Sequence, residues 1–176
     1  MPAWLFQTAQ VRGRQLAHAD IPEINALFAR CADYSLLVDG EPPAQGAAEG
    51  IFENRPPEVA AKDHFTLGLY TNTDGLIGLL EALRNYPEAG TMYIGLLLLD
   101  PDYRGGGVGS TVRSAFAAWA KGQGVGRLKL SVVEENGAAL CVWQRLGYRH
   151  LRTLPPARFG RKTQARFELA LDLANH

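Results

Sequence analysis

The chain has 176 residues, 47% of them hydrophobic, and its 18 basic residues balance 18 acidic ones, so it is long enough to bury a core as one domain spanning residues 1–176. Its two cysteines, Cys31 and Cys141, offer neither a disulfide framework nor a metal-ligand spacing, so free thiols, a cytoplasmic setting and no metal are expected. No apolar run approaches the ~18 residues of a membrane helix and Met1 to Arg12 lack a signal-like pattern, so no membrane partner is expected.

Val11 to Ala17 reads as a strand. Asp20 then heads a helix: Glu23 completes a capping-box spacing, and Ile21, Ile24, Leu27, Phe28 and Cys31 share one face. From Asp33 to Asp63 the pattern becomes irregular, with two Pro-Pro pairs, a helix-compatible Ala44–Asn54, and 7 acidic residues against 2 basic. A long acidic segment of ordinary complexity reads as a binding loop. Two strands follow, Asp63–Thr71 and Leu76–Arg84, joined through a turn signalled by Asp74-Gly75.

Thr91 to Leu99 is apolar on both faces, so it belongs in the middle of a sheet covered on each side, with Gly95 marking a bulge or a close approach by a ligand. Val108, Val112, Ala115, Phe116 and Trp119 follow at helical spacing. Arg127–Val133 alternates as a strand, Asn136 opens a second helix closed by Gly147, Tyr148–Leu154 is a strand, Pro155–Thr163 a loop, and Gln164–Leu173 a last strand. The order is α+β, a mainly antiparallel sheet with one parallel step.

The junction at Leu99 carries the chemistry. An apolar strand stops at Asp100-Pro101 and passes through Arg104-Gly105-Gly106-Gly107-Val108-Gly109-Ser110 straight into a helix. Four glycines leave the turn's N–H groups unshielded, and a helix N-terminus has unpartnered donors, so the site suits a phosphate. It is neither a P-loop, since no lysine follows Gly109, nor a dinucleotide fingerprint, since Ser110 stands where the third glycine belongs. Charge changes here too: residues 1–103 carry 6 basic and 14 acidic side chains, residues 104–166 carry 12 and 2. That step points to a polyanion held by the second half and a cation met by the first, with a nucleic-acid surface over residues 104–166 as the discounted reading.

Arg104-x-x-Gly107-x-Gly109, introduced by Leu99-Asp100-Pro101-Asp102-Tyr103, resembles the [RQ]-x-x-G-x-[GA] acetyl-CoA motif of the Gcn5-related N-acetyltransferase (GNAT) superfamily. Downstream, Asn136-x-x-Ala139 and then Leu146-Gly147-Tyr148 resemble the N-x-x-A and Y-x-x-x-G-[FY] segment of the same family. The resemblance implies the GNAT fold, a mixed, mainly antiparallel central sheet flanked by helices, with residues 91–148 as acetyl-CoA core and 33–62 as acceptor segment. It implies transfer of an acetyl group from acetyl-CoA to a small-molecule or peptide amine, by direct attack in a ternary complex, without nucleic acid and with a possible homodimer. Amides of residues 104–109, with Ser110, would hold the pyrophosphate. Backbone groups of Leu97, Leu98 and Leu99 would hold the pantetheine, one N–H, assigned to Leu99, meeting the thioester oxygen.

Asn136 would bind the pantetheine or hold its helix in place, beside Trp143. Trp143 departs from the family, which often has a tyrosine there to protonate the sulfur, so either Tyr148, Cys141 or water takes that role or the thiolate leaves without enzymic protonation. No carboxylate lies between Thr91 and Leu99, and Glu81 on the neighbouring strand is the remaining candidate base, followed by His64 and Tyr93. The alternative these departures leave is a non-catalytic acyl-CoA-binding module of the same fold.

Overall fold

The computed structural model describes residues 3–73 and 75–175. Eight strands form one sheet: β1 (Trp4–Gln7), β2 (Arg12–Gln15), β3 (His64–Tyr70), β4 (Leu76–Arg84), β5 (Thr91–Leu99), β6 (Arg127–Val133), β7 (Arg149–Phe159) and β8 (Lys162–Asp172). Their order is β1-β2-β3-β4-β5-β6-β8-β7, and every neighbouring pair is antiparallel except β5 with β6. The helices are α1 (Ile21–Arg30), α2 (Ala32–Asp39), α3 (Ala47–Glu53), α4 (Val108–Gly122) and α5 (Gly137–Arg145). None of the described helices is long and apolar enough to cross a membrane.

The sheet has two apolar faces, as the unbroken Leu and Val runs of its middle strands require. On one, Val112, Phe116 and Ala120 of α4 and Trp143 of α5 pack on Leu67, Leu69, Met92, Ile94 and Leu128. On the other, Ile24 and Leu27 of α1 and Ala48 of α3 pack on Tyr70, Leu76, Leu79 and Leu98.

Four local expectations are corrected. Asp20 does not cap α1 with its side chain; it closes a short 3-10 turn by accepting from the Ala17 N–H at 2.8 Å and pairs with Arg14 at 2.9 Å. The acidic segment is more ordered than its Pro-Pro pairs suggested: it contains α2, which closes on Gly40 at φ 73°, besides the expected α3. An additional strand, β1, precedes the one expected from Val11, and Thr8 Oγ1 closes their turn by accepting from the Val11 N–H at 2.9 Å. Finally, β7 runs through Pro155-Pro156, read as loop, because it is the edge strand and the register shifts between Leu154 and Ala157, where two prolines face one partner residue. The expected strands β3 and β4 pair as a hairpin; Asp74 of their turn lies outside the described residues.

Candidate functional site

The two central strands part company halfway along. β5 and β6 pair only from Thr91↔Arg127 to Ile94↔Leu130. At that point Gly95 is inserted as a bulge in β5, since Glu81 faces Leu96 while the next residue, Ala82, faces Ile94. The inserted residue reverses the alternation of side chains. Leu97 and Leu99 therefore turn toward α4 with Ile94, and Leu96 and Leu98 toward α1.

The same register fixes where the amides point. The Asp100 N–H bonds the Ile77 carbonyl at 2.8 Å, and hydrogen-bonded pairs alternate along an antiparallel ladder, so Leu98 also faces β4 while Leu97 and Leu99 face the open side. Consistently, the Leu99 carbonyl accepts from Arg104 Nε at 2.8 Å and from Cys31 Sγ at 3.4 Å. Leu98, expected at the cofactor, is thus corrected: its backbone belongs to the ladder and its side chain to the opposite core. Between the parted strands lies a narrow cleft of about 90 Å³ lined by Gly95, Leu96, Leu97, Asn136, Trp143 and, from α2, Tyr34.

At the far end of β5 the glycine turn leads into α4. Gly105 and Gly107 sit at φ 81° and 85°, a region costly for residues with a Cβ, and Gly107 is the N-cap of α4. α4 has no acidic residue in its first turn and no side-chain cap, so the N–H groups of Val108, Gly109 and Ser110 and the positive end of the helix dipole are available to an anion. The Arg104 side chain is turned back to Asp33 and the Leu99 carbonyl. It braces the turn against α2, while the turn presents backbone.

Asn136 accepts from the Ala139 N–H at 3.2 Å, capping α5, and also lines the cleft. Trp143 is buried at the cleft wall, with the Arg113 guanidinium 4.9 Å from its ring centroid. Tyr148 lies behind it, in edge contact at 4.9 Å, and lines a groove beyond α4 rather than the cleft. Burial pushes its phenol far above the usual range. The structure does not bring Tyr148 to the cleft, which corrects its assignment as proton donor. Cys141 is exposed on α5 and is not among the cleft residues.

Glu81, by contrast, is not the exposed strand residue that alternation alone would allow. Its Oε1 lies 2.9 Å from His64 Nε2, and its Oε2 hangs over the bulge, 3.5 Å from where a Cβ on Gly95 would sit. Burial pushes its carboxyl above the usual range, against the lowering effect of His64. The pair occupies the α1 face beside Leu96. A carboxylate whose proton affinity is raised and which is placed at the mouth of an unpaired strand is suited to take a proton. Tyr93 is engaged elsewhere, its hydroxyl 2.7 Å from Ser131 Oγ.

The wall opposite, α2, is held from a distance. Gln164, fully buried on β8, donates from Nε2 to the carbonyls of Leu37 (3.2 Å) and Val38 (2.8 Å), and Lys162 Nζ donates to Leu37 at 3.1 Å. These are last-turn carbonyls, which have no partners inside the helix and sit at its negative end. Sequence reading had no signal for this, because Gln164 looks like the first polar residue of a strand. Gln164→Leu is expected to lower stability by about 1–3 kcal/mol, by stranding those carbonyls and the Glu135 N–H that its Oε1 accepts. Chemical denaturation should show that loss, with hydrogen exchange quickened in α2; an unchanged midpoint would refute the clamp.

A family model for the acetyltransferase (GNAT) family matches residues 27–148. The chain belongs to the GNAT acetyltransferase family. It is accordingly an acyltransferase by family, and its motifs fall within the matched range. No curated protein matches the chain by sequence. Among solved structures it is similar to an acetyltransferase from Thermus thermophilus, 24% identical with a TM-score of 0.72, covering 92% of this chain and 97% of that one. It is also similar to the spermidine N-acetyltransferase of Vibrio cholerae in complex with CoA and spermine (15%, TM-score 0.75, 95% and 98% covered). A third neighbour is the ribosomal-protein-S18-alanine N-acetyltransferase of Escherichia coli (16%, TM-score 0.68, 93% and 94%). At these identities the neighbours establish the shared GNAT fold.

Proposed function

We propose that this GNAT protein transfers an acetyl or similar short acyl group from acetyl-CoA to a primary amine, by direct attack within a ternary complex. The observation that carries the reading is the conjunction at the bulge: an unpaired strand edge leads from a helix N-terminus to a half-buried carboxylate. The residues fit coenzyme A. Open glycines and an acid-free helix start suit its pyrophosphate, and the amides of Leu97 and Leu99, facing no strand, suit an arm that carries amides of its own. The Vibrio cholerae neighbour acts on spermidine and the Escherichia coli one on an alanine of ribosomal protein S18, and both acceptors are amines.

Roles follow from position. Amides of residues 105–109 with Ser110 hold phosphate, the Arg104 N–H being donated to the Pro101 carbonyl at 3.2 Å. The Leu99 N–H adjoins the glycine turn and serves the pantetheine. The Leu97 N–H, next to the bulge and Glu81, is the donor for the thioester oxygen, a contribution of roughly 10²–10³ in rate. This moves the donor two residues from the Leu99 first assigned. Glu81 removes the proton from the ammonium, directly or through water. As the C–N bond forms and the C–S bond breaks, the sulfur leaves as thiolate; thiols have pKa values of only about 8.5, so a proton from water suffices and Trp143 need supply none. One buried and one exposed free cysteine suit a reducing cytoplasm.

The test is thiol release from acetyl-CoA with a panel of primary amines. Amine-dependent release with intersecting initial-velocity lines is expected. Tight coenzyme A binding without acetylation of any amine would sink the proposal in favour of the non-catalytic module.

A further inference from the structure

A second cavity, about 200 Å³, opens on the α1 face of β5. Its walls are Phe28 of α1, Tyr34 of α2, Pro43, Ala44 and Ala47 before and in α3, and Leu96 and Leu98 of β5. It shares Tyr34 and Leu96 with the cleft, and Glu81 stands directly across the ladder from Leu96 on the same face. The cavity therefore abuts β5 just past the bulge, on the face that carries the carboxylate.

The lining is mainly apolar; its polar members are Cys31, Ser35, the Tyr34 phenol and Asp39, which is its one carboxylate. Asp39 is the last residue of α2, and no donor or cation among the described residues meets its carboxylate. The acids on either side of it in sequence are paired, Asp33 with Arg104 and Glu41 with Arg161 at 3.2 Å. The nearby Lys162 is committed to Leu37 and Glu135. Burial and the charge of Glu41 push the Asp39 carboxyl up, the condition of an anion that lacks a counter-ion. Mainly apolar walls with one such carboxylate recognise a cation carried on a hydrocarbon chain.

We infer that this cavity is the acceptor pocket and that its substrate is a primary amine joined by a short apolar spacer to a second cationic group, which binds Asp39 while the free amine reaches Glu81. The inference rests on the acetyl-transfer reading above. Tyr34, at the cleft, and Asp39 are five residues apart on one helix, about 7.5 Å at the helical rise, which matches a spacer of roughly four to six methylenes.

The full-length protein with acetyl-CoA should be offered 1-aminopentane, 5-amino-1-pentanol and 1,5-diaminopentane. The diamine is expected to exceed both monoamines in kcat/KM by about 10- to 100-fold, the size of a charge-assisted contact in a partly buried site. In Asp39→Asn that ratio should fall to near one, with coenzyme A affinity as in the parent to show an intact fold. Equal use of the three amines by the parent protein, or a preference that survives in Asp39→Asn, would overturn the inference. Calorimetry of 1,5-diaminopentane without acetyl-CoA separates the two readings. If no amine is acetylated yet the diamine binds and Asp39→Asn abolishes binding, transfer falls and the pocket stands; if the diamine does not bind and no amine is acetylated, both fall.

Discussion

Glu81→Gln is expected to lower kcat about 10²–10³-fold at neutral pH, the usual worth of a positioned general base, with KM for the amine little changed. Glutamine keeps the size and the hydrogen bond toward His64 but cannot accept a proton. The pH dependence should change in form as well. Burial raises the Glu81 pKa, so the parent rate climbs as pH rises through that raised value and the base becomes ionised; Glu81→Gln should lack this limb.

Stability supplies a control of opposite sign. A carboxyl whose folded pKa exceeds its unfolded one favours the fold below the unfolded pKa, and that contribution is lost as pH rises through the folded value. Above the raised pKa the parent carries a half-buried charge that glutamine does not, so thermal unfolding at pH 8 should find Glu81→Gln no less stable than the parent. A kcat within threefold of the parent, or inactivity accompanied by a lower Tm, would remove Glu81 from the role of base.

Ser110→Glu should separate stability from ligand binding at the other end of the cleft. With Gly107 as N-cap, position 110 is the third residue of α4, exposed and without an acidic neighbour in its turn. A glutamate there meets the positive end of the helix dipole and should stabilise the protein by about 0.3–1 kcal/mol. The same charge would sit roughly 5 Å from any phosphate held by the turn, a repulsion of about 1–3 kcal/mol per charge at the dielectric of a protein surface. Coenzyme A affinity is therefore expected to fall about 100-fold, and part of the loss should return in 1 M salt, where the Debye length is about 3 Å. Calorimetry at two salt concentrations reads both effects. Unchanged affinity would move the phosphate site away from α4.

Features that depend on local chemistry were legible in the sequence. The glycine turn, the Asn136 cap, the bulge at Gly95 and the double-faced central strand each follow from residue types within a few positions of one another. Those that depend on distant chain were not. Glu81 alone reads as a solvated strand residue, and only the β3–β4 register brings His64 to it. Pro155-Pro156 reads as loop until β7 is known to be an edge. Tyr148 and Trp143 are five residues apart, yet the fold puts only Trp143 on the cleft. The charge step at Arg104 is used in part for internal pairing across the two halves, Arg104 with Asp33, Lys129 with Glu88 and Arg161 with Glu41, so fewer of its cations are free for a polyanion than the count suggests.

The clamp of Gln164 and Lys162 on α2 also bears on how the molecule assembles. It spans 125 to 127 residues of chain, among the long-range contacts that are slow to form and costly in loop closure. Its donors lie on the last strand. Hence the last turn of α2, with Asp39, gains these contacts only when β8 is in place. The glycine turn is built by residues adjacent in the chain, whereas the α2 wall is completed only by residues near the chain's C-terminal end.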